Sequence, residues 1–228
     1  MTITGTYDNL KDNSEYFRTL KIKPNMKKVS QSPLKIKGVY LPFALEVISG
    51  LYKIPRTGWV DRGVEHPETV GQHIDDLLEM ADFFFPDCYG LKKMLKVHDW
   101  PEWEKKIGDR RTDKYCPEDH RYDPQEKKIA EREAMFDICQ RLGPYGAIIF
   151  NLYLEYDAGI TLRAQRANQL DKLQVDLKAV KYQIANQPVI AMQFIELNRH
   201  KIIIPELKLM LEEAELKLDK YLISKKIT

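Results

Sequence analysis

The sequence predicts an all-α protein, a helical bundle, on three observations. Apolar residues recur at steps of three and four through segment after segment. No stretch alternates apolar and polar residues in the period of a strand. Several histidines and aspartates lie on or beside the inward stripes of separate helical segments, where a plain core would carry leucine.

The composition sets the bounds. A chain of 228 residues that is 43% apolar and 31% charged suits one large soluble domain with terminal extensions. Lys+Arg of 36 against Asp+Glu of 34 leaves a formal charge of +2, so no electrostatic footprint for a nucleic acid polymer stands out. The longest apolar run, near 39–54, is too short for a membrane span and carries Glu46. Residues 1–25 are polar throughout, which predicts no secretory signal. Cys88, Cys116 and Cys139 are widely spaced and fit neither a disulfide framework nor a zinc ribbon. A reducing, cytoplasmic setting is therefore the expectation.

Taken in order, residues 1–37 read as an extension, with Tyr16, Phe17 and Leu20 able to pin a short helix. Residues 38–200 form the core domain, and 201–228 a C-terminal helix packed on the core or on a partner subunit in a homodimer. Leu41, Ala44, Leu45, Ile48, Leu51 and Tyr52 predict one helical stripe, interrupted by Gly50 and ended before Pro55. A loop then runs to Pro67. From Glu68, Val70, Ile74, Leu77, Leu78, Ala81, Phe84 and Phe85 share a face, and His73 lies on it. A further helix from Gly90 carries Leu91, Met94, Leu95 and His98 inward; continued as helix, it places Glu102 beside His98 at i+4. A long polar loop spans 110–124. A charged helix over 125–142 turns Ile129, Met135, Phe136, Ile138 and Cys139 inward. Helices over 145–156 and from 161 follow, the latter with Asp171 beside the stripe Leu170, Leu173, Leu177, Val180 and Ile184. Two more cover 188–198 and 205–222.

His73, His98, Asp99 and Asp171 thus point from three helices toward one interior. Two imidazoles and two carboxylates suit one divalent ion of borderline softness (Mn, Co, Fe, Ni or Zn), with positions left for water and a substrate oxygen.

The ordered set Pro55-Arg56-Thr57-Gly58-Trp59, Pro67-Glu68-Thr69-Val70-Gly71-Gln72-His73, His98-Asp99-x-x-Glu102, Gly108-Asp109 and Gln169-Leu170-Asp171 resembles the HD-domain phosphohydrolases, and within them the 5′-deoxynucleotidase branch. The match runs from about Leu41 to about Gln183. It implies a helical fold whose metal ligands are His73, His98, Asp99 and Asp171, and a small nucleotide, a deoxyribonucleoside 5′-monophosphate, as substrate. It implies that Glu102 activates or positions the attacking water, that Asp109 assists near the leaving group or phosphate, and that Arg56 contacts the phosphate. Arg56 and Arg62 each have two readings, substrate contact or a tie within the loop, and Trp59 either packs structurally or shapes the sugar pocket. Three departures stand out. The chain is two residues longer than usual between Glu102 and Asp109, which puts Glu104 in competition with Glu102. Gln72 replaces an acid that is common before His73. Arg110-Arg111 stand where an apolar residue is common.

Two alternatives accompany this reading: an HD-type phosphohydrolase for another nucleotide or small phosphorylated metabolite, and a non-catalytic member that keeps the ion for binding. His66, His120 and His200 have no partners at ligand spacing and are expected on the surface. A two-metal oxygenase on the same scaffold needs further inward histidines, and His66 and His120 fall in loops.

Overall fold

The computed structural model describes residues 36–227, with side chains to 225. The expected N-terminal extension, with Tyr16, Phe17 and Leu20, therefore lies almost wholly outside the described residues. Helices α1 (Leu41–Leu51), α2 (Thr57–Val60), α3 (Val70–Phe84), α4 (Tyr89–Leu95), α5 (Pro124–Arg141), α6 (Gly146–Ala158), α7 (Leu162–Ile184), α8 (Ala191–Asn198) and α9 (Pro205–Ile227) carry the fold, and there is no strand among the described residues.

Local signals set the helix ends. Thr69 and Gln72 close a reciprocal capping box on α3: Gln72 N–H donates to Thr69 Oγ1, and Thr69 N–H donates to Gln72 Oε1. The residue that departs from the common acid before His73 is thus the one that starts the helix bearing it. Asp123 caps α5 through the N–H groups of Gln125 and Glu126, with Pro124 in the first turn. Thr161 caps α7 through Ala164 N–H.

Helix α7 is the axis of the bundle, packed against α3, α4, α6, α8 and α9. Leu170 and Leu173 meet Leu77, Leu91, Leu95 and Leu211 in one continuous apolar cluster. Buried Leu207, Leu211, Ala214 and Leu218 set α9 on the same core. Cys88, Cys116 and Cys139 are all free thiols. No helix among the described residues is long and apolar enough to cross a membrane.

Three expectations need correction. Helix α4 stops at Leu95. His98 and Asp99 sit in the turn that follows, and Glu102 in a 3-10 turn, Trp100–Trp103, so the i+4 helical relation between His98 and Glu102 does not exist. Pro101 has no N–H to give to the Val97 carbonyl, so an α-helix cannot run unbroken from His98 to Glu102. On α1 the buried side is Ala44, Val47 and Leu51, while Leu41, Leu45, Ile48 and Tyr52 face outward. Ile129 on α5 is 59% exposed, not inward.

Two glycines are required by geometry. A Cβ at Gly50 would lie 2.3 Å from Trp103 Cδ1, so only glycine lets α1 lie against the turn that carries Glu102. Gly108 has φ of +58° and ends a tight turn in which Ile107 and Gly108 donate to the Glu104 carbonyl, at 2.7 and 3.1 Å. The residues between Glu102 and Asp109 are folded into that turn.

Candidate metal centre

The two imidazoles are locked by their own backbone and core. His73 is fully buried on α3, and its Nδ1 lies 2.8 Å from Gln174 Oε1 on α7. His98 Nδ1 lies 2.8 Å from the Leu95 carbonyl at the end of α4. Both acceptors are oxygens, so each Nδ1 carries the proton and each Nε2 presents a bare lone pair. Those Nε2 atoms are buried and make no hydrogen bond.

They converge on carboxylates. Asp171 Oδ1 is 3.1 Å from His73 Nε2, and Asp99 Oδ2 is 3.0 Å from His98 Nε2 and 3.7 Å from His73 Nε2. Ligand atoms of His73, His98 and Asp171 all fall within 4.8 Å of one another. Lone pairs facing ionised oxygens in a buried place repel unless a proton or a cation lies between them. The donor set, two borderline nitrogens and two hard oxygens, fits a divalent first-row ion. The structure therefore brings together all four residues that the sequence placed at one ion.

The surrounding charges follow the same logic. Burial works to raise the pKa of Asp171, but Lys172 and the imidazoles outweigh it and hold it well below the usual range. Burial is likewise outweighed at Asp99, where His98 keeps the carboxyl ionised. Burial would lower the pKa of His98, and Asp99 reverses that and raises it. Glu102 is shifted the other way: burial, then the nearby charges of Asp99 and Asp109, push it well above the carboxylate range, while Lys127 and Arg56 pull back.

Arg56 is half-buried, and Asp109, Asp99, Asp171 and Glu102 outweigh its desolvation and strengthen its charge, so its guanidinium belongs to this cluster. The loop that bears it is pinned by Arg56 N–H to the Glu68 carbonyl at 3.0 Å and Val70 N–H to the Ile54 carbonyl at 2.9 Å. Thr57, next along, grips Asp109 twice. Its N–H donates to Oδ2, and its hydroxyl donates to the main-chain carbonyl.

Two residues named from the sequence lie elsewhere. Trp59 is 2% exposed, donates from Nε1 to Glu68 Oε1 at 3.0 Å and packs on Tyr182 and Phe194. It is a core residue. Arg62 donates to the Gly58 carbonyl and to Gln193 Oε1 and lies over the Phe194 ring. It lines a separate cleft of about 240 Å³ with Asp61, Arg111 and Tyr115. Arg111 is itself buried in ion pairs with Asp61 and Asp113. His66, His120 and His200 are exposed as expected, and Glu104 is half-buried just beyond the 3-10 turn of Glu102.

Sequence reasoning missed a buried polar chain behind the centre. Glu68 accepts from Trp59 Nε1, Gln174 Nε2 and Lys178 Nζ, and Gln174 in turn orients His73. Tyr156 was missed as well; its hydroxyl lies 3.2 Å from Asp171 Oδ2 and its ring 4.8 Å from that of His98. The available signal was the position of Gln174 one turn after Asp171, an amide inside a leucine stripe.

A family model described as HD domain matches residues 48–208 of the chain. The chain belongs to the HD domain family. Curated relatives include the 5′-deoxynucleotidase HDDC2 of Mus musculus, 30% identical over 75% of this chain and 84% of that protein. That of Dictyostelium discoideum is 31% identical over 63% of this chain and 77% of its own. Among solved structures, a conserved hypothetical protein from Pyrococcus furiosus superposes with a TM-score of 0.59 at 22% identity, covering 77% of this chain and 98% of that one. A chain from Magnetospirillum magnetotacticum, described as a predicted metal-dependent phosphohydrolase, gives 0.58 at 21%, covering 79% and 91%. At those identities the structural likeness speaks for the fold of this HD protein.

Proposed function

We propose that the protein is a metal-dependent phosphomonoesterase, a 5′-deoxynucleotidase that converts deoxyribonucleoside 5′-monophosphates to nucleoside and phosphate. The observation that carries this reading is the pair of buried, partnerless imidazole nitrogens facing Asp99 and Asp171, with Glu102, Asp109 and Arg56 around them. The curated relatives named 5′-deoxynucleotidase support the substrate class.

In this reading His73, His98, Asp99 and Asp171 hold one divalent ion of the Mn, Co, Fe, Ni or Zn group. When bound, such an ion supplies Lewis acidity and positive charge to a phosphoryl group. Arg56 binds non-bridging phosphate oxygens with its planar fork. Glu102 takes a proton from the attacking water as the new P–O bond forms. Burial and the charges of Asp99 and Asp109 raise its pKa, which strengthens the carboxylate as a proton acceptor. The ester bond to the sugar 5′-oxygen breaks with its electron pair left on that oxygen, and the proton that Glu102 took from water is passed on to it on the side where Thr57 holds Asp109. Trp59 and Arg62 act at one remove: Trp59 braces Glu68, and Arg62 ties α2 to α8.

The test is turnover of a panel of ribo- and deoxyribonucleoside monophosphates and sugar phosphates by stripped and reloaded protein. Activity restored by Mn or Co, with deoxyribonucleotides preferred, is the expected result. Loss of that preference sinks the substrate claim, and no phosphate release with any metal sinks the reaction. A homodimer is part of the same proposal, supported by the outward Leu41, Leu45 and Ile48 of α1, and sedimentation decides it.

A further inference from the structure

Lys127 stands in the first turns of α5, after the long polar loop, and the mechanism above gives it no role. Its ammonium donates to the Arg110 carbonyl at 2.7 Å and pairs with Glu131 Oε1 at 3.3 Å, one turn further along the helix. Arg110 directly follows Asp109, so the lysine straps the loop segment that bears that carboxylate to α5. Helix α5 also packs on the 3-10 turn that carries Glu102. Although half-buried, the ammonium keeps its charge, because Glu131 first, then Glu102, Asp109 and Asp99, outweigh desolvation. Lys127 thus stands beside the segment that bears Asp109, on the helix that packs against the turn of Glu102, and feels the same carboxylates as Arg56.

The charges at the centre leave a place for a further cation. Asp99, Asp171, Glu102 and Asp109 surround the place a phosphate must occupy, and each repels a phosphate dianion when ionised. A divalent ion, Arg56 and Lys172, which pairs with Asp171 Oδ2 at 2.7 Å, offer four positive charges against these four carboxyl groups before the charge of the phosphate itself is added. Lys127 adds one more, and two of its three N–H groups are spent on Arg110 and Glu131, which leaves one. The Glu131 carboxylate, 3.3 Å away, partly neutralises that ammonium and so tempers its pull on an anion.

We propose that Lys127 is a phosphate-binding residue, its remaining N–H donated to a non-bridging oxygen of the monoester while the other two hold the Asp109–Arg110 segment in place. The inference rests on the phosphomonoesterase reading for its substrate.

Three variants test it in Mn-loaded protein: Lys127→Met, Lys127→Arg and Glu131→Gln. Each is titrated with orthophosphate, assayed for KM and kcat, and melted. Lys127→Met is expected to weaken orthophosphate binding and raise KM roughly 10–100-fold, the loss of one charge-assisted bond, with a smaller change in kcat. Lys127→Arg keeps affinity within about threefold, since it keeps charge and donors. Glu131→Gln tightens orthophosphate binding, because it removes the charge that competes for the lysine. A strap with no part in binding gives the opposite pattern: Lys127→Met and Glu131→Gln then lower the melting temperature together and leave orthophosphate affinity within twofold. That pattern overturns the proposal, as does wild-type protein that binds no orthophosphate. If the methionine variant does not fold, the sign of the Glu131→Gln change decides alone. Absence of turnover by wild-type protein defeats the phosphatase reading, while the orthophosphate titration still decides the role of Lys127.

Discussion

At the scale of the residue, the centre depends on who holds each nitrogen. Gln174 fixes the tautomer of His73 through a 2.8 Å contact to Nδ1. Gln174→Leu removes that partner and is expected to cost roughly 10–100-fold in metal affinity, read by competition with a chelating dye. Unchanged affinity would mean that the imidazole is held by packing alone. Glu102→Gln keeps the shape of the acid but not its basicity. A loss of about 10²–10⁴-fold in kcat with full metal content is expected, and a variant as active as wild type removes Glu102 from the chemistry. Asp171 was legible as a candidate ligand only together with His73 and His98, since an aspartate beside a leucine stripe by itself reads as a buried salt bridge. Gln174 and Glu68 gave weaker signals. An uncharged amide in such a stripe looks like its polar edge, and Glu68 looked like the first residue of a helix it in fact precedes.

At the scale of the element, the central lesson is the turn after α4. Apolar spacing through Leu91, Met94 and Leu95 extrapolates smoothly to His98 and Glu102, but α4 ends at Leu95, and Pro101, without an N–H, bars a regular helix between His98 and Glu102. The breaker was visible, and the periodicity outweighed it. On α1 two apolar stripes compete, because Leu41, Phe43, Ala44, Leu45, Val47, Ile48 and Leu51 leave little polar face. The close approach at Gly50 selects between them, a long-range fact that no local pattern holds. Gly50→Ala gains up to about 1 kcal/mol in helix propensity. It also sets a Cβ 2.3 Å from Trp103, and overpacking of this kind costs about 1–3 kcal/mol. A lower melting temperature and a reduced kcat are expected together, since Trp103 adjoins Glu102. Stabilisation with intact turnover would show that the turn yields freely.

At the scale of the whole molecule, α7 joins the chemistry to the outer helices. Five residues after Asp171, Asp176 is fully buried; its Oδ1 accepts from Asn198 on α8, and its Oδ2 has no partner. Burial raises its pKa from 3.8 to about 7, against the pull of Asn198, Lys172 and Lys201, with Glu215 of α9 pushing further up. The folded protein holds this proton where the unfolded chain has released it. Stability is therefore lost as pH rises from about 4 to about 7, and the penalty is complete above that. Asp176→Asn should raise the melting temperature by several degrees at pH 8 and by little near pH 4. An equal gain at both pH values would assign the effect to packing instead.

The locked imidazoles have one more consequence. A cage whose walls are set by an amide and a main-chain carbonyl exists before anything enters it, so little rearrangement separates the empty state from the filled one. The order of affinities then follows the donor set, with nickel, cobalt or zinc expected above manganese. Which ion resides there is set by what the surroundings offer. An occupant should also act as a keystone: at a thousandfold excess over its dissociation constant it adds about 4 kcal/mol against unfolding.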